Sequence, residues 1–243
     1  MKKFGLVGKN IDYSFSRKYF SDKFKTENLE NHEYVNFDIQ NIFEFSKIIK
    51  TENLVGLNVT IPYKQDVSPF LDKISKKAKK IEAVNTITVD KNGKTKGYNT
   101  DWYGFKKSIE KHLPPHHKKA LILGTGGSSK AVAFALAKLE IDVAFVSRTR
   151  HRHGFEYQNL TKEIFDDYTI IVNCTPLGTS PNVAVCPEIP YEFLTKNHLV
   201  FDLIYNPAKT LFLEKAEQQG ATILNGQEML VFQAEKAWEI WNR

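Results

Sequence analysis

A two-domain α/β fold is expected from three features of the 243-residue chain. Short apolar runs alternate with helix-period patterns almost throughout. Such alternation implies parallel sheets joined by crossovers. Pro114-Pro115, followed by His116-His117-Lys118-Lys119, interrupts the pattern and precedes a cleaner βαβ series. That break suggests two domains with a cleft between them. The length also exceeds a usual domain of about 100–200 residues.

The elements follow in order. Lys3–Val7 reads as a strand, Phe15–Lys25 as a helix and Tyr34–Ile39 as a strand. Ile42–Ile49 reads as a helix. Val55–Ile61 has an alternating strand pattern, which Pro62 ends because it has no N–H for a ladder. Ser68–Lys80 is expected to be a helix with a lysine-rich outer face. Thr86–Val89 and Thr95–Tyr98 flank Asp90-Lys91-Asn92-Gly93, a hairpin turn signal. Thr100-Asp101 stands at a helix N-cap position ahead of a stripe at Phe105, Ile109 and Leu113. Beyond the break come a strand at Ala120–Leu123, a helix at Gly127–Leu139 and a strand at Val143–Val146. Residues 147–168 read as irregular. Thr169–Asn173, Val200–Ile204 and Thr222–Leu224 are buried strands, with helices at Thr210–Gln219 and Gln227–Trp241.

Composition narrows the class. The formal charge of +6 suits anionic ligands but is no nucleic-acid signature by itself. Two cysteines, Cys174 and Cys186, argue against a secreted disulfide scaffold. The apolar run Phe4–Gly8 behind Lys2 and Lys3 is too short for a signal segment. The longest apolar run, Ala131–Ala137, falls short of the ~18 residues a membrane span needs. A cytoplasmic protein with no membrane partner is the expectation. No Cys/His cluster has metal-ligand spacing, so no metal is expected.

Leu121-Ile122-Leu123 leads directly into Gly124-Thr125-Gly126-Gly127-Ser128-Ser129-Lys130 and a helix. This is the strand–loop–helix context of a dinucleotide fingerprint. Gly124 permits a tight turn, and Gly126 lets backbone approach a pyrophosphate at a helix N-terminus. Ser129 stands where the third glycine would fall and is small enough for close packing. After the next strand, Ser147-Arg148-Thr149-Arg150-His151-Arg152 contains no acid to hold a ribose 2′-hydroxyl. Its arginines suit a 2′-phosphate, since guanidinium pairs with phosphate bidentately. The loop and strand together point to NADP. Asp142 precedes the strand and reads as surface.

In the first half, Ser14, Ser16, Asn58, Thr60, Lys64, Asn85 and Asp101 lie near strand ends and helix starts, where α/β proteins bind ligands. Together they fit a polyhydroxy or carboxylate pocket. Singly, Asn58, Thr60 and Asn85 read as turn or cap residues, Asp101 as a helix cap and Lys64 as a surface lysine.

With these residues in place, the chain resembles the shikimate dehydrogenase family. Gly56-Leu57-Asn58-Val59-Thr60-Ile61-Pro62-Tyr63-Lys64 is similar to its G-x-N-V-T-x-P-x-K, and Ala83-Val84-Asn85-Thr86 to its A-x-N-T. Gly97-Tyr98-Asn99-Thr100-Asp101-Trp102-Tyr103-Gly104-Phe105 is similar to G-x-N-T-D-x-x-G-F. The glycine loop, Arg148-Thr149, Asn173–Gly178, Asp202–Pro207 and Met229–Ala234 recur in family order. The resemblance covers nearly the whole chain. It implies an N-terminal α/β substrate domain, residues 1–103 with 225–243, and a Rossmann-type NADP domain, residues 104–224. The C-terminal helix would return to the first domain. It also implies reversible reduction of 3-dehydroshikimate to shikimate, on the route to aromatic amino acids.

Carried over residue by residue, Lys64 and Asp101 match the catalytic pair. Ser14 and Ser16 match the carboxylate clamp. Thr60, Asn85 and Gln233 match residues around the ring hydroxyls, and Tyr205 one at the substrate–nicotinamide junction. Gly124, Thr125, Gly126, Gly127, Ser128, Ser147, Arg148, Thr149, Arg152, Thr175 and Gly226 match the cofactor side. The implied partners are small molecules, in a monomer or homodimer, without nucleic acid. There are departures. Arg17 replaces a proline, Phe20-Ser21 stand for a His-Asn pair, Ser147 replaces an asparagine, and residues 150–169 look short by one helix. Quinate, aminoshikimate and methylene-tetrahydrofolate dehydrogenases are competing enzymes. The Ser14–Ser16 pair and Asn99-Thr100-Asp101 run argue against the folate enzyme. A nucleotide-sensing or nucleic-acid-binding protein is the competitor of another class. Its support is Lys73–Lys80 and His116–Lys119, against retention of both Lys64 and Asp101.

Overall fold

In the computed structural model, residues 1–12, 14–149 and 154–243 are described. The chain divides into two compact units, Met1–Thr100 with Ala234–Arg243, and Asp101–Gln233.

The first unit holds a six-stranded sheet of order β2-β1-β3-β5-β6-β4. Its elements are β1 (Lys2–Gly8), α1 (Phe15–Thr26), β2 (His32–Asp38), α2 (Phe45–Ile48), β3 (Leu54–Val59), β4 (Lys73–Ile74), α3 (Lys76–Ile81), β5 (Thr86–Val89) and β6 (Thr95–Tyr98). β1 pairs in parallel with both β2 and β3, whereas β5 runs antiparallel to β3 and β6. The expected hairpin is present: Asp90 Oδ1 accepts from the backbone of Asn92 and Lys94, and Gly93 takes φ +73°.

Two cores sandwich this sheet. Leu57, Val59, Val67 and Ile87 pack on one side with Phe45 and Ile48. Phe4, Leu6, Phe20, Phe24 and Tyr34 pack on the other with Ala234, Ala237 and Trp241. β3 lies between them, so nearly every residue in it is buried and the expected alternation is absent. Its ladder ends at Val59, before Pro62.

The expected helix over Ser68–Lys80 is corrected. Ser68–Phe70 is one 3-10 turn, Lys73–Ile74 pairs with β6, and only Lys76–Ile81 is α-helical. Ser75 starts that helix by accepting from Ala78 N at 3.2 Å. A cap of this kind fixes a helix start that lysine periodicity alone cannot locate.

The second unit holds α4 (Asp101–Ile109), β7 (Lys119–Leu123), α5 (Gly127–Ala137), β8 (Asp142–Ser147), β9 (Gly154–Glu156), α6 (Lys162–Asp167), β10 (Ile170–Asn173), β11 (Leu199–Asp202), α7 (Leu211–Gln218), β12 (Thr222–Leu224) and α8 (Gln227–Trp241), which continues into the first unit. Its sheet runs β12-β11-β10-β7-β8-β9, all parallel. This is the doubly wound order, reversing direction between β7 and β10.

The Pro114-Pro115 break therefore falls inside the second unit, on the connection from α4 to β7. Phe105 and Ile109 of α4 are fully buried with Ile122, Val132 and Phe201. The irregular reading of 147–168 is corrected at its described later part: β9 spans Gly154–Glu156, a 3-10 turn Tyr157–Asn159 and α6 Lys162–Asp167. β9 pairs in parallel with β8, and Gly154 lies flush against it, since a Cβ there would lie 2.1 Å from Phe145 O.

Candidate active site

In the second unit, the residues expected on the cofactor side gather at the C-terminal ends of the parallel strands. Gly124 ends β7 with φ +100°, a conformation that favours glycine. Its N–H donates to Val146 O of β8 at 2.8 Å, and a Cβ there would meet Thr175 Cγ2 at 3.2 Å. Cys174 N donates to Leu123 O at 2.9 Å. The glycine loop, the end of β8 and Thr175 thus converge where the strand order reverses, the ligand position of open α/β sheets.

Gly126 is the N-cap of α5, and a Cβ built on it would meet nothing within 4 Å. Internal packing does not demand glycine there. An open cradle beside a helix N-terminus suits a pyrophosphate that approaches the backbone. Ser129, at the third glycine position, is fully buried and donates to Gly126 O at 2.7 Å, closing the first turn. Thr125 is exposed, and Gly127 and Ser128 are half-buried along the same rim.

At the end of β8, Ser147 Oγ donates to Thr149 O at 2.5 Å and Arg148 is exposed. No acid follows the strand among the described residues. Asp142 is exposed at its opposite end. The expected contacts at Arg150 and Arg152 lie outside the described residues.

A buried carboxylate braces this edge. Asp202, at the end of β11, accepts from Thr210 Oγ1 at 2.6 Å, Ile204 N at 3.0 Å and Asn173 Nδ2 at 3.0 Å. Asn173 Oδ1 in turn accepts from Thr175 N and Thr175 Oγ1. Burial pushes the Asp202 carboxyl up to about 6, opposed by those hydrogen bonds. Thr175 is therefore held in place through β10 and β11.

Tyr205 is half-buried beyond β11. Gly226 closes the β12–α8 turn, where a Cβ would sit 2.0 Å from Leu203 O. Gly226 consequently has a packing requirement of its own. Gln233 is buried and donates to Leu230 O at 3.1 Å on α8.

The first unit gathers most of the expected substrate residues. Ser14 is the N-cap of α1 with extended backbone, and Ser16 lies in the first helical turn. The chain does turn between the two serines, as a shared carboxylate contact requires. Thr60 N donates to Val7 O at 2.9 Å, at the end of β1. Lys64 is half-buried, and its carbonyl accepts from Val84 N at 2.7 Å, beside Asn85.

Asn85 is 3% exposed and deeply tied. Its Oδ1 accepts from Thr100 N at 2.7 Å and Thr86 Oγ1 at 3.0 Å, and its Nδ2 donates to Thr100 Oγ1 at 3.0 Å. Asn58 Nδ2 donates to Asn85 O at 3.2 Å, and Tyr34 Oη donates to Asn58 Oδ1 at 2.8 Å. Asp101, next in the chain after Thr100, is the first residue of α4 and is 5% exposed.

Tyr34, Asn173 and Asp202 received no site role from the sequence. Tyr34 stands there only as the first residue of an expected strand, and its partner Asn58 comes from another strand. Among the described residues, no group of three or more His, Cys, Asp or Glu could hold a metal ion. Among the described residues, no helix is long and apolar enough to cross a membrane.

Comparison with known proteins places the chain among shikimate dehydrogenases. The family model for the shikimate dehydrogenase substrate binding domain matches residues 6–87. The shikimate dehydrogenase (NADP(+)) of Methanosphaera stadtmanae is 38% identical, over 98% of this chain and 90% of its own. A Thermus thermophilus shikimate 5-dehydrogenase, solved in complex with NADP(H) and shikimate, superposes with TM-score 0.86 at 28% identity, covering 99% of this chain and 93% of that one. A quinate dehydrogenase from Corynebacterium glutamicum, solved in complex with NAD, gives TM-score 0.86 at 26% identity, covering 99% and 93%.

Proposed function

The chain belongs to the shikimate dehydrogenase family, and from that premise we infer that it is an NADP-dependent oxidoreductase interconverting 3-dehydroshikimate and shikimate. The observation that carries the cofactor is the convergence of Gly124, the end of β8 and Thr175 at the reversal of the second sheet. The open space over Gly126 fits a pyrophosphate, and exposed Arg148 fits the 2′-phosphate. NADPH, when bound, supplies the hydride.

The second unit is proposed to hold the cofactor and the first to supply most of the substrate contacts. Ser14 and Ser16 are assigned to the substrate carboxylate, and Thr60, Asn85 and Gln233 to the ring hydroxyls. Tyr205 and Gly226 are assigned to the nicotinamide end. Reduction of a ketone leaves an alkoxide, which requires a proton. Lys64 is assigned as the donor at that oxygen, its ammonium also stabilising the developing charge. Asp101 is assigned to support the charged lysine. The exposed lysines from Lys73 to Lys80 fit the solvated edge of the first sheet, where charge discourages strand addition.

Loss of NADPH absorbance with 3-dehydroshikimate tests the reaction, with NADH and quinate as the contrasting arms. Lys64→Ala and Asp101→Ala should each lower kcat by about 10²–10⁴ with little change in melting temperature. A mere helix cap at Asp101 would instead cost about 1 kcal/mol of stability and little activity. Near-normal kcat in Lys64→Ala would remove the lysine from the mechanism.

A further inference from the structure

We propose that Tyr34 is a positioning residue for substrate binding, its phenol holding the Asn58 amide and through it Asn85. This rests on the function proposed above. Tyr34 lies on β2, is 4% exposed and belongs to none of the motif segments. Its ring stacks on Phe20 at 4.8 Å and 13° between planes, which fixes where the phenol oxygen sits.

The polarity of the chain of hydrogen bonds follows from one fixed acceptor. Asn58 Nδ2 faces Asn85 O at 3.2 Å and Thr86 Oγ1 at 3.5 Å. A backbone carbonyl can only accept, so the Asn58 amide cannot be reversed. Its Oδ1 therefore faces Tyr34, which must donate across the 2.8 Å contact.

Beyond Asn58 the chain continues through Thr86 and Asn85 to Thr100, the residue before Asp101. Asn58 comes from β3 and Asn85 from the approach to β5. One buried phenol on β2 thus sets a common frame for groups from two other elements. Water cannot readily replace that oxygen, because a buried acceptor left unpaired costs its full desolvation. Removing it must shift the Asn58 amide.

Tyr34→Phe is the test, since it keeps the ring packing and deletes one oxygen. KM for 3-dehydroshikimate should rise about tenfold, the size of one lost hydrogen bond. KM for NADPH and kcat should stay within about twofold, a split that general loosening does not give. Asn58→Asp, which keeps the acceptor for Tyr34 but loses the donor to Asn85 O, should raise the same KM, and the Tyr34→Phe, Asn58→Asp double variant should be scarcely worse than the poorer single one. An unchanged or lowered substrate KM in Tyr34→Phe, or multiplicative effects in the double variant, would overturn the proposal. Absence of dehydroshikimate turnover in the unmodified protein would instead overturn the function it rests on.

Discussion

Asp202 and Arg148 are opposite cases of charge at one sheet edge. Asp202 is fully buried, and burial holds its carboxyl up at about 6 against three hydrogen bonds. A folded-state value above the unfolded value of ~3.9 means that the folded state binds the proton more tightly. The stabilisation from this site is complete below about pH 4 and is lost as pH rises through about 6. Asp202→Asn mimics the protonated form at every pH. Its melting temperature relative to the parent should therefore climb between about pH 4 and 7 and level off above. A constant difference across a pH series of thermal melts would show that Asp202 is charged throughout. Arg148 is exposed, so its removal should leave stability within about 0.5 kcal/mol. Arg148→Ala should raise KM for NADPH about 10–150-fold, the loss of a charge-assisted hydrogen bond, and leave NADH use nearly unchanged. Steady-state kinetics with both cofactors checks it, and equal losses with both would break the assignment to the 2′-phosphate.

The turn between β12 and α8 shows how an element constrains a site. Gly226 N donates to Ile204 O at 3.0 Å, and Gly226 O accepts from Leu230 N as α8 begins. A Cβ at Gly226 would meet Leu203 O and Leu203 C, both backbone, so β11 or the turn must move. Gly226→Ala should cost about 1–3 kcal/mol. That is roughly 2–10 °C in Tm for a chain of this size. A melt equal to the parent's would mean that the turn relaxes freely. The sequence reveals elements unevenly for related reasons. α8 is legible from Gln227 to Trp241 because its apolar residues recur at helical spacing over fifteen positions. β9 has three residues and α6 six, too short for any period to register. At Ser68–Lys80 the lysines imitate a helical outer face, while Pro69 and the Ser75 cap set the true breaks. The candidate cofactor loop is legible because its residues share one short segment, Gly124–Ser129, whereas Thr60 and Lys64, which by themselves read as a turn residue and a surface lysine, take their assignment from the resemblance. Tyr34 is not legible, because its role depends on Asn58, 24 residues away on another strand.

At the scale of the whole molecule, the chain crosses between its units twice, and the second crossing lies within α8. The last ten residues therefore belong to the first unit, and Ala234, Ala237 and Trp241 to its core. Trp241 is central there. Its Nε1 donates to Ile87 O at 2.9 Å, and its ring packs on Phe4 and Phe20 at 5.1 and 5.2 Å. Gly56 of β3 lies flush against it, since a Cβ at that position would sit 2.3 Å from Nε1. The first sheet is thus built around a side chain two residues before the last of the sequence. The second unit has its own buried clusters, with Leu121, Val146 and Val200 in one and Ile122, Val172 and Phe201 in another. Losing Trp241 should consequently damage the two units unequally. Trp241→Ala should cost about 3–5 kcal/mol through the cavity it leaves, and it strands the Ile87 carbonyl. If substrate binding belongs to the first unit, affinity for shikimate should fall at least tenfold, since many molecules would be locally disordered there. NADPH affinity, read from fluorescence enhancement at a temperature where the second unit stays folded, should remain within about twofold of the parent. Equal loss of both ligands would mean that the units do not hold their ligands independently, and the division of labour proposed for them would fail.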